Sequence, residues 1–348
     1  MKKIRMGLVG CGHMMGIHAK AVNDCSEALE ITAVCDVVRE QAETVAEVLG
    51  NSPFVCTNYR DMLEHVDAVL IALPHDLHYE CGMFFAHHHK HILMEKPLCN
   101  TEEECLRLIE TCEKQNVTLM CAYPVRYWPG IVKLKELVDS GAYGKVFMMS
   151  VWTEQLTVKN WDHWITTARL GGGQLFSHGC HYIDLLLWFL GQPISGTHTG
   201  TNLGTEWLMR EGTSAVTMKF ANGAVAYHGA TWGARGTRLG YDFQVHTEKG
   251  MFDYDHRAGT ITYYSKEEIH DPGKPSRNTK EILWDAGTGK KYTNNEIDHF
   301  VDCVLTGKKP LTSGRTALES LRVIWKLYDA EKTNTVADLR DINPNSYL

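Results

Sequence analysis

Two glycines directly behind the first apolar segment constrain the fold of this chain more than any other feature. Residues 4–9 form that segment, Gly10 and Gly12 follow it, and Asp36 closes the next apolar segment, residues 31–35. A strand that turns through such glycines into a helix points backbone N–H groups and the positive end of the helix dipole at one spot, where a pyrophosphate can bind. An acidic side chain at the tip of the second strand accepts hydrogen bonds from ribose hydroxyls. The sequence therefore predicts a dinucleotide-binding site near its amino-terminal end.

The glycine pattern is incomplete at its third position. In a Gly-x-Gly-x-x-Gly motif that starts at Gly10, the third glycine falls on Met15, while Gly16 stands one residue later and twenty positions before Asp36. That glycine serves close packing of helix on strand, so Met15 would move the helix slightly without removing the anion site. The two valines after Asp36 favour NAD over NADP, because a 2′-phosphate would meet a carboxylate and no fixed cation there, although Arg39 is near. The cofactor contacts predicted at this turn are Gly10, Gly12, His13, Met14, Met15 and Asp36.

Composition excludes several other classes of protein. The 348 residues carry a formal net charge of −7 and no run of Lys and Arg that could follow a phosphate backbone, so nucleic acid is not an expected partner. The longest apolar runs, such as residues 185–190, fall far short of the ~20 residues that a bilayer-spanning helix needs, so no membrane association is expected. Eleven cysteines without a C-x-x-C pair indicate neither a disulfide framework nor a zinc site, and they suit a reducing cytoplasm. The histidines at 87–89 and 91 are expected at a solvated helix end, and no metal site is predicted.

A chain of this length predicts two domains. Up to residue 122, short apolar strands alternate with amphipathic helices, which predicts a doubly wound parallel sheet of the Rossmann type over residues 1–122. The strands are expected at residues 4–9, 31–35, 68–73, 91–94 and 118–122, with helices at 39–49, 79–86 and 101–115 among the connections.

Residues 123–348 are predicted to form the second domain, of the α+β class. Alternating segments at 145–153, 214–220, 223–231 and 243–246 indicate an antiparallel sheet, and Asn222-Gly223 marks a hairpin turn. Helices are expected at 295–305 and 316–329. No linker is evident, so the two domains are expected to share a fixed interface, and the cleft between them is the expected binding site.

A lysine stands at the end of a predicted strand. Glu95, Lys96 and Pro97 follow residues 91–94, at the carboxyl end of the parallel sheet, where ligands of such sheets bind. With Pro97 fixing the turn, the Lys96 amine could reach a substrate hydroxyl and lower the cost of its deprotonation. The other interpretation is a surface ion pair between Lys96 and Glu95.

Three glycines, residues 171–173, precede a segment that contains His181 and Asp184. A helix that begins near Gly179 would hold His181 in its first turn, where the helix dipole disfavours the imidazolium and leaves the ring able to accept a proton. Asp184 follows three residues later, on nearly the same helix face. A histidine beside an apolar helix is also commonly a hydrogen-bonded structural residue, and spacing leaves both roles open.

These motifs together resemble those of the Gfo/Idh/MocA oxidoreductases, from the first strand to the last helices. In chain order they are Gly10-Cys11-Gly12 with His18, Pro74-His75-Asp76-Leu77-His78, Glu95-Lys96-Pro97, Arg126-Tyr127, Gly141-Ala142-Tyr143-Gly144-Lys145, Gly171-Gly172-Gly173 with His181 and Asp184, and Asn295-Glu296-Ile297-Asp298-His299-Phe300. The resemblance implies a Rossmann domain followed by an α/β domain built on a large open, mostly antiparallel sheet. It also implies homodimers or homotetramers formed through the outer face of that sheet, NAD or NADP as cofactor, and sugars, polyols or their derivatives as substrates.

The resemblance further implies roles for single residues. Lys96 would orient and polarise the reacting hydroxyl, with a Lys96-Pro97 bond that is often cis in the family, and His181 would be the general base. More cofactor contacts are expected at Leu73, Pro74, His75, His78, Glu95 and Lys96. Substrate contacts are expected at Arg126, Tyr127, Ser177 and His178. Apart from the resemblance, Trp164 could offer a flat apolar face to a sugar ring, and buried packing is its equally plausible use.

One position departs from the family pattern. Many dehydrogenases of the family carry Asp four positions before the histidine, where this chain has Ser177. The loss of that carboxylate removes a partner for the substrate hydroxyl or for a protonated imidazole, and His178 is a candidate replacement. The chemistry could therefore oxidise a different hydroxyl or return the hydride at the end of the cycle.

Three functions follow as hypotheses. The first is an NAD-dependent oxidoreductase that interconverts a secondary alcohol and a ketone on a sugar, glycoside or cyclitol. The second is a glycosidase with tightly held NAD, which works by transient oxidation, elimination, water addition and re-reduction. The third is a non-catalytic NAD-sensing regulator, against which the presence of both Lys96 and His181 argues.

Overall fold

The computed structural model describes residues 3–158, 170–266, 278–287 and 292–344. In these residues the chain forms two β-sheets, one of six strands and one of nine. No described helix is long and apolar enough to cross a bilayer. Trp164, a predicted substrate contact, lies outside the described residues.

The first sheet is built by the amino-terminal third of the chain. Its strands are β1 (Ile4–Val9), β2 (Leu29–Cys35), β3 (Phe54–Cys56), β4 (Ala68–Ile71), β5 (His91–Glu95) and β6 (Leu119–Ala122). The helices among its connections are α1 (His13–Val22), α2 (Arg39–Leu49), α3 (His78–His87) and α4 (Glu102–Lys114). All strand pairs are parallel, in the order β3-β2-β1-β4-β5-β6. The predicted doubly wound sheet is confirmed, and β3 is an addition that the sequence pattern did not indicate.

Burial explains why these strands form continuous apolar runs. All four residues of β4 are buried, as expected for a parallel strand covered by helices on both faces. The connecting helices are amphipathic and locally capped. At the start of α4, Thr101 Oγ1 accepts a hydrogen bond from the Glu104 N–H, and the Glu104 carboxylate accepts one from the Thr101 N–H, both at 3.2 Å.

The second sheet follows. Its strands are β7 (Val146–Glu154), β8 (Pro193–Thr201), β9 (Thr213–Phe220), β10 (Val225–Thr231), β11 (Tyr241–Thr247), β12 (Gly250–Asp255), β13 (Thr260–Lys266), β14 (Asn278–Asp285) and β15 (Ala337–Asp338). The order is β14-β13-β12-β11-β7-β10-β9-β8-β15, and every pair is antiparallel except β7 with β10. The helices of this part are α5 (Pro129–Asp139), α6 (Cys180–Leu190), α7 (Thr293–Thr306) and α8 (Gly314–Lys332). The predicted mostly antiparallel sheet is confirmed.

A continuous hydrophobic core joins the two sheets. It includes Met94 of the parallel sheet, Leu186 of α6 and Leu321 of α8, all fully buried. Helix α8 packs against both α4 and α6. The chain after residue 122 therefore packs directly on the parallel sheet, which agrees with the expected fixed interface. The domain boundary proposed at 122/123 falls between β6 and β7.

Candidate active site

The turn after β1 fits a bound pyrophosphate. Gly10 has φ +86°, and a Cβ at this position would lie 2.5 Å from the Ala72 carbonyl oxygen, so a side chain would collide with backbone. At Gly12, which precedes α1, a Cβ would meet no described atom within 4 Å. The first turn of α1 contains no acidic residue, and no side-chain hydrogen bond caps its amino-terminal end. The amino-terminal end of α1 is therefore uncapped and the space beside Gly12 is open, so the helix dipole favours an anion there.

Asp36 follows β2 and lies beside this turn. Its Oδ2 accepts a hydrogen bond from the Cys11 N–H at 2.7 Å, and its Oδ1 accepts one from the Val38 N–H at 2.8 Å. Each carboxylate oxygen has a second lone pair, so Asp36 keeps the capacity to accept hydrogen bonds from ribose hydroxyls. The Arg39 guanidinium is paired with Glu43 at 2.9 Å. The turn thus presents a carboxylate and an already paired arginine, which fits NAD.

Two of the residues predicted to contact the cofactor, Met15 and His78, have side chains that are buried within the protein, and their contact with the cofactor stays a prediction. Met15 is fully buried in the core beneath α1. His78 is also fully buried, and its Nδ1 and Nε2 lie 2.8 Å from the Pro97 carbonyl oxygen and 2.9 Å from the Leu73 carbonyl oxygen. His78 therefore ties the turn after β4 to the turn after β5. The remaining predicted side chains in these segments, His13, Met14, Leu73 and Pro74, are exposed or partly exposed.

His75 connects the parallel sheet to the second half of the chain. Its ring is buried, and its Nδ1 lies 2.9 Å from the carbonyl oxygen of Leu170. Burial holds the pKa of His75 well below its ordinary value, and the nearby His78 and Lys96 lower it further. His75 is therefore a neutral ring at the junction of the domains, and its contact with the cofactor stays a prediction.

Lys96 reaches across the domain junction. The Lys96-Pro97 peptide bond is cis, as the family resemblance suggested. The Lys96 ammonium donates a hydrogen bond to the Ser177 carbonyl oxygen at 3.1 Å. Ser177 lies four residues before His181, so the amine from the first domain meets the helical segment that carries the imidazole.

Glu95 is buried beneath this turn, and its contact with the cofactor stays a prediction. It is 5% exposed, its Oε1 lies 2.7 Å from His18 Nε2, and its Oε2 accepts a hydrogen bond from the Lys96 N–H at 3.1 Å. Burial would raise the pKa of Glu95, but the hydrogen bond and charge of His18, the charge of Lys96 and the Lys96 N–H together lower it. Glu95 is therefore a buried carboxylate that holds the backbone of the lysine.

The helix that carries His181 begins earlier than the sequence indicates. A π-helical turn, Leu175–Gly179, leads directly into α6. His181 therefore occupies the second turn of a continuous helical segment, and the prediction that it occupies the first turn is wrong. The dipole argument for a neutral ring fails with it, because that effect is confined to the first turn.

The glycine triplet before this helix lets the backbone approach other side chains of the protein. A Cβ on Gly173 would lie 2.1 Å from Glu211 Oε2. Glu211 Oε1 in turn accepts hydrogen bonds from the Leu175 N–H at 3.2 Å and from the Tyr328 hydroxyl at 2.6 Å. Glu211 and Tyr328 thus hold the start of the helical segment. Sequence reasoning missed both, because an isolated Glu and Tyr carry no motif.

His181 lies where the two domains meet. It is 7% exposed, and its ring centroid is 5.5 Å from that of Tyr123, the residue directly after β6, and 5.9 Å from that of His178. Tyr123 was not predicted either. Its hydroxyl lies 3.1 Å from Ser320 Oγ, and burial raises its pKa well above the ordinary value. A neutral, fully buried phenol therefore flanks one side of the imidazole.

Asp184 and Arg126 form a buried ion pair. The Arg126 Nε donates to Asp184 Oδ2 at 2.5 Å and its Nη2 donates to Oδ1 at 2.7 Å, and both side chains are at most 2% exposed. Tyr127 is 8% exposed, and its hydroxyl lies 3.1 Å from Thr312 Oγ1. Direct substrate contact by Arg126 or Tyr127 stays a prediction. Arg126 fixes α6 against the segment that follows β6.

Ser177 and His178 differ in their surroundings. Ser177 is 4% exposed, and the group that it offers to the lysine is its backbone carbonyl. His178 is partly exposed, and its Nδ1 lies 3.3 Å from Gln174 Nε2. Its ring is also close to those of Tyr182 and Tyr241, at 5.3 and 6.0 Å between centroids. His178 thus stands beside His181 with one edge towards the second sheet.

A positively charged amine can polarise a hydroxyl, and an adjacent imidazole can take up its proton. Lys96 bonds to the helical segment that carries His181, and the sheet that carries Lys96 also carries the nucleotide-binding turn. The fold and the site together define a nucleotide-dependent oxidoreductase. Residues 4–123 match the family described as an oxidoreductase family with an NAD-binding Rossmann fold, and residues 131–253 match the carboxy-terminal domain of the same family. The chain belongs to the Gfo/Idh/MocA family.

Individual relatives agree with this assignment. An uncharacterized oxidoreductase of Streptococcus pneumoniae is 28% identical over 208 residues, which cover 58% of this chain and 55% of that protein. The myo-inositol 2-dehydrogenase of Thermotoga maritima is 26% identical over 322 residues, or 89% of this chain and 91% of that protein. The solved structure of levoglucosan dehydrogenase with NADH is 19% identical, with a TM-score of 0.85 over 97% of this chain and 99% of that chain.

Proposed function

We propose that this protein is an NAD-dependent dehydrogenase that interconverts a secondary hydroxyl and a ketone on a sugar, glycoside or cyclitol. Similarity to a myo-inositol dehydrogenase over most of the chain supports this substrate class. The turn after β1 and Asp36 would hold the cofactor, with the exposed Val37 beside the ribose. When bound, NAD accepts a hydride from the carbon that is oxidised.

The observation that carries the proposal is the hydrogen bond from Lys96 Nζ to the Ser177 carbonyl. It supports an amine and an imidazole acting on one bound hydroxyl from opposite domains. Lys96 binds and polarises that hydroxyl, and His181 takes its proton while the C–H bond breaks. Glu95 and the Ser177 carbonyl orient the amine, and the Arg126–Asp184 pair holds the helix of His181.

Substitution of the two proposed catalytic residues tests this function. Lys96→Ala and His181→Ala are each expected to lower kcat by about 10²–10⁴-fold, the usual contribution of a positioned acid or base. Both variants should still bind NAD, because the contacts proposed for its pyrophosphate and ribose, at the turn after β1 and at Asp36, remain in place. The measurement is nicotinamide absorbance with a panel of sugars, cyclitols and glycosides, together with NAD titration by calorimetry. Near-normal turnover in both variants would refute the assignment.

A redox-neutral glycosidase is the second candidate, favoured by Ser177 in place of a carboxylate and by His178 beside His181. A cycle that returns the hydride to the same substrate would release free sugar from an aryl glycoside without net change in nicotinamide absorbance. Simultaneous measurement of product release and absorbance therefore separates the two functions. Any turnover excludes a purely regulatory role.

A further inference from the structure

Several aromatic side chains meet at one end of the nine-stranded sheet. Tyr241 begins β11, His256 follows β12, Gln155 follows β7 and Trp232 follows β10. Strand β11 runs antiparallel to β7 and β12, whereas β10 runs parallel to β7. The register places Tyr241 opposite Thr153. These four positions therefore lie at the same end of their strands.

Four rings form a row that starts beside the proposed base. The centroid of His178, which lies 5.9 Å from that of His181, is 6.0 Å from that of Tyr241. Tyr241 is followed by His256 at 6.1 Å, and His256 stacks on Trp128 at 3.9 Å and 12°. Trp128 belongs to the segment after β6, so the row extends from the imidazole to the domain junction.

The rings of the row are held at their edges by hydrogen bonds. The Tyr241 hydroxyl donates to Gln155 Oε1 at 2.6 Å, and His256 Nδ1 lies 3.0 Å from the Tyr254 hydroxyl. His178, Tyr241 and His256 are partly exposed, whereas Trp128 behind them is 6% exposed. A row of oriented, partly exposed rings next to a reacting centre differs from ordinary core packing, in which aromatic side chains are covered.

We propose that His178, Tyr241 and His256 form a subsite for a second ring of the substrate, so that the protein acts on sugars that carry a ring-bearing substituent. This inference rests on the proposed function. Aromatic faces pack against the C–H faces of a pyranose or against an aryl group, and rings that are already oriented lose little entropy on binding. The oxidised sugar lies at Lys96 and His181, and its substituent extends along the row.

A comparison of paired substrates tests the subsite. Methyl and phenyl glycosides of the same sugar are assayed with NAD, and the ratio of their kcat/KM values is the readout. The wild type is expected to prefer the phenyl glycoside at least tenfold, which corresponds to about 1.4 kcal/mol. Tyr241→Ala should lower that ratio at least fivefold, whereas Tyr241→Phe, which keeps the ring, should preserve it. His256→Ala provides a second test if Tyr241→Ala does not fold.

Tyr59→Ala is the matched control, because Tyr59 belongs to the first domain and its hydroxyl is also held by side chains: it donates to Glu80 Oε1 and accepts from Arg60 Nη2, both at 3.3 Å. This control should leave the ratio at the wild-type value. A wild-type ratio near one, or an equal loss for both glycosides in Tyr241→Ala, overturns the subsite. Calorimetric binding of phenyl and methyl glycosides to the NAD-loaded protein gives the same comparison without turnover. Absence of turnover with every sugar would refute the proposed function. The ratio of the affinities for the phenyl and methyl glycosides would still test the aromatic subsite.

Discussion

At the scale of single residues, the most consequential charge beneath the site belongs to Glu95. It joins His18 to the Lys96 backbone, and the side chains of Glu95 and His18 are both buried. A carboxylate that accepts hydrogen bonds on both oxygens fixes the backbone from which the Lys96 side chain extends. We therefore regard Glu95 as a positioning residue for Lys96.

Glu95→Gln is expected to lower the free energy of unfolding by about 1.5–3 kcal/mol, the range for hydrogen bonds to a charged group. It should also lower kcat more than it changes KM, because the amine loses its orientation. Thermal unfolding and steady-state kinetics measure both effects. Glu103→Gln is the control, since Glu103 is 73% exposed and pairs with Arg107 on the surface of α4. A Glu95→Gln variant as stable and active as the control would contradict the positioning role.

Glu296 of α7 is a second buried carboxyl group, and it differs from Glu95 in its protonation. It is fully buried, and neither oxygen has a hydrogen-bond partner among the described residues. Burial and the neighbouring Glu95 hold its pKa well above the ordinary value. The folded protein therefore binds the proton of Glu296 more tightly than the unfolded chain does. As a result, the contribution of Glu296 to the free energy of unfolding is largest below the ordinary pKa of Glu and falls as pH rises.

Glu296→Gln removes this pH dependence. Its advantage in unfolding free energy over the wild type is expected to grow as pH rises above the ordinary pKa of Glu, with a slope of up to about 1.4 kcal/mol per pH unit for one proton. Urea unfolding of both proteins at several pH values gives the measurement. A difference that stays constant with pH would show that Glu296 titrates alike in the folded and unfolded chain.

At the scale of elements, the helical segment of residues 175–190 positions the imidazole, and its start depends on Gly173. A Cβ at Gly173 would lie 2.1 Å from the Glu211 carboxylate, which also holds Tyr328 and the Leu175 N–H. Because Gly173 has no side chain, the Glu211 carboxylate can approach its backbone closely, and this contact fixes the start of the helical segment.

Gly173→Ala should displace Glu211 and cost about 1–3 kcal/mol, as overpacking of a tight site does. Because the same change shifts the segment that carries His181, kcat is expected to fall as well. Thermal unfolding and kinetics are compared with Gly236→Ala, where a Cβ meets no described atom within 4 Å. Equal melting temperatures for the two variants would disprove the dependence on Gly173.

The elements also separate what the sequence could predict from what it could not. Helix α2 was predicted with its observed bounds, because its apolar periodicity and the glycine after it are local signals. Strand β3 was missed, because it has three residues of which one is buried. The parallel pairing of β7 with β10 and the contact of Gly173 with Glu211 join distant segments, and periodicity contains no information on such partners. The motifs predict Lys96 and His181 as catalytic residues, and that role stays a prediction, whereas no motif indicated that Arg126 and Asp184 form a buried ion pair.

At the scale of the whole molecule, one face of the nine-stranded sheet stands out as an association surface. Helices cover the face that carries Val151 and Phe243, whereas Met148, Val225 and Tyr227 of β7 and β10 point to the other side. A shallow cavity of about 320 Å³ lies there, lined by these three residues and by polar groups of β8 and β9. Val225 is 46% exposed. Exposed apolar patches of this kind mark protein–protein interfaces.

We expect this face to form a homodimer or homotetramer, so that light scattering gives a multiple of the 39.3 kDa chain mass. Val225→Glu should shift the protein towards the monomer, because association would bury an unpaired carboxylate, which costs several kcal/mol. Glu103→Gln, on the exposed side of α4, should keep the wild-type mass. A wild type that runs as a single chain at micromolar concentration would contradict the interface, as would a Val225→Glu variant of unchanged mass. NAD binding should be equal in both assembly states, because the turn after β1 belongs to the other sheet.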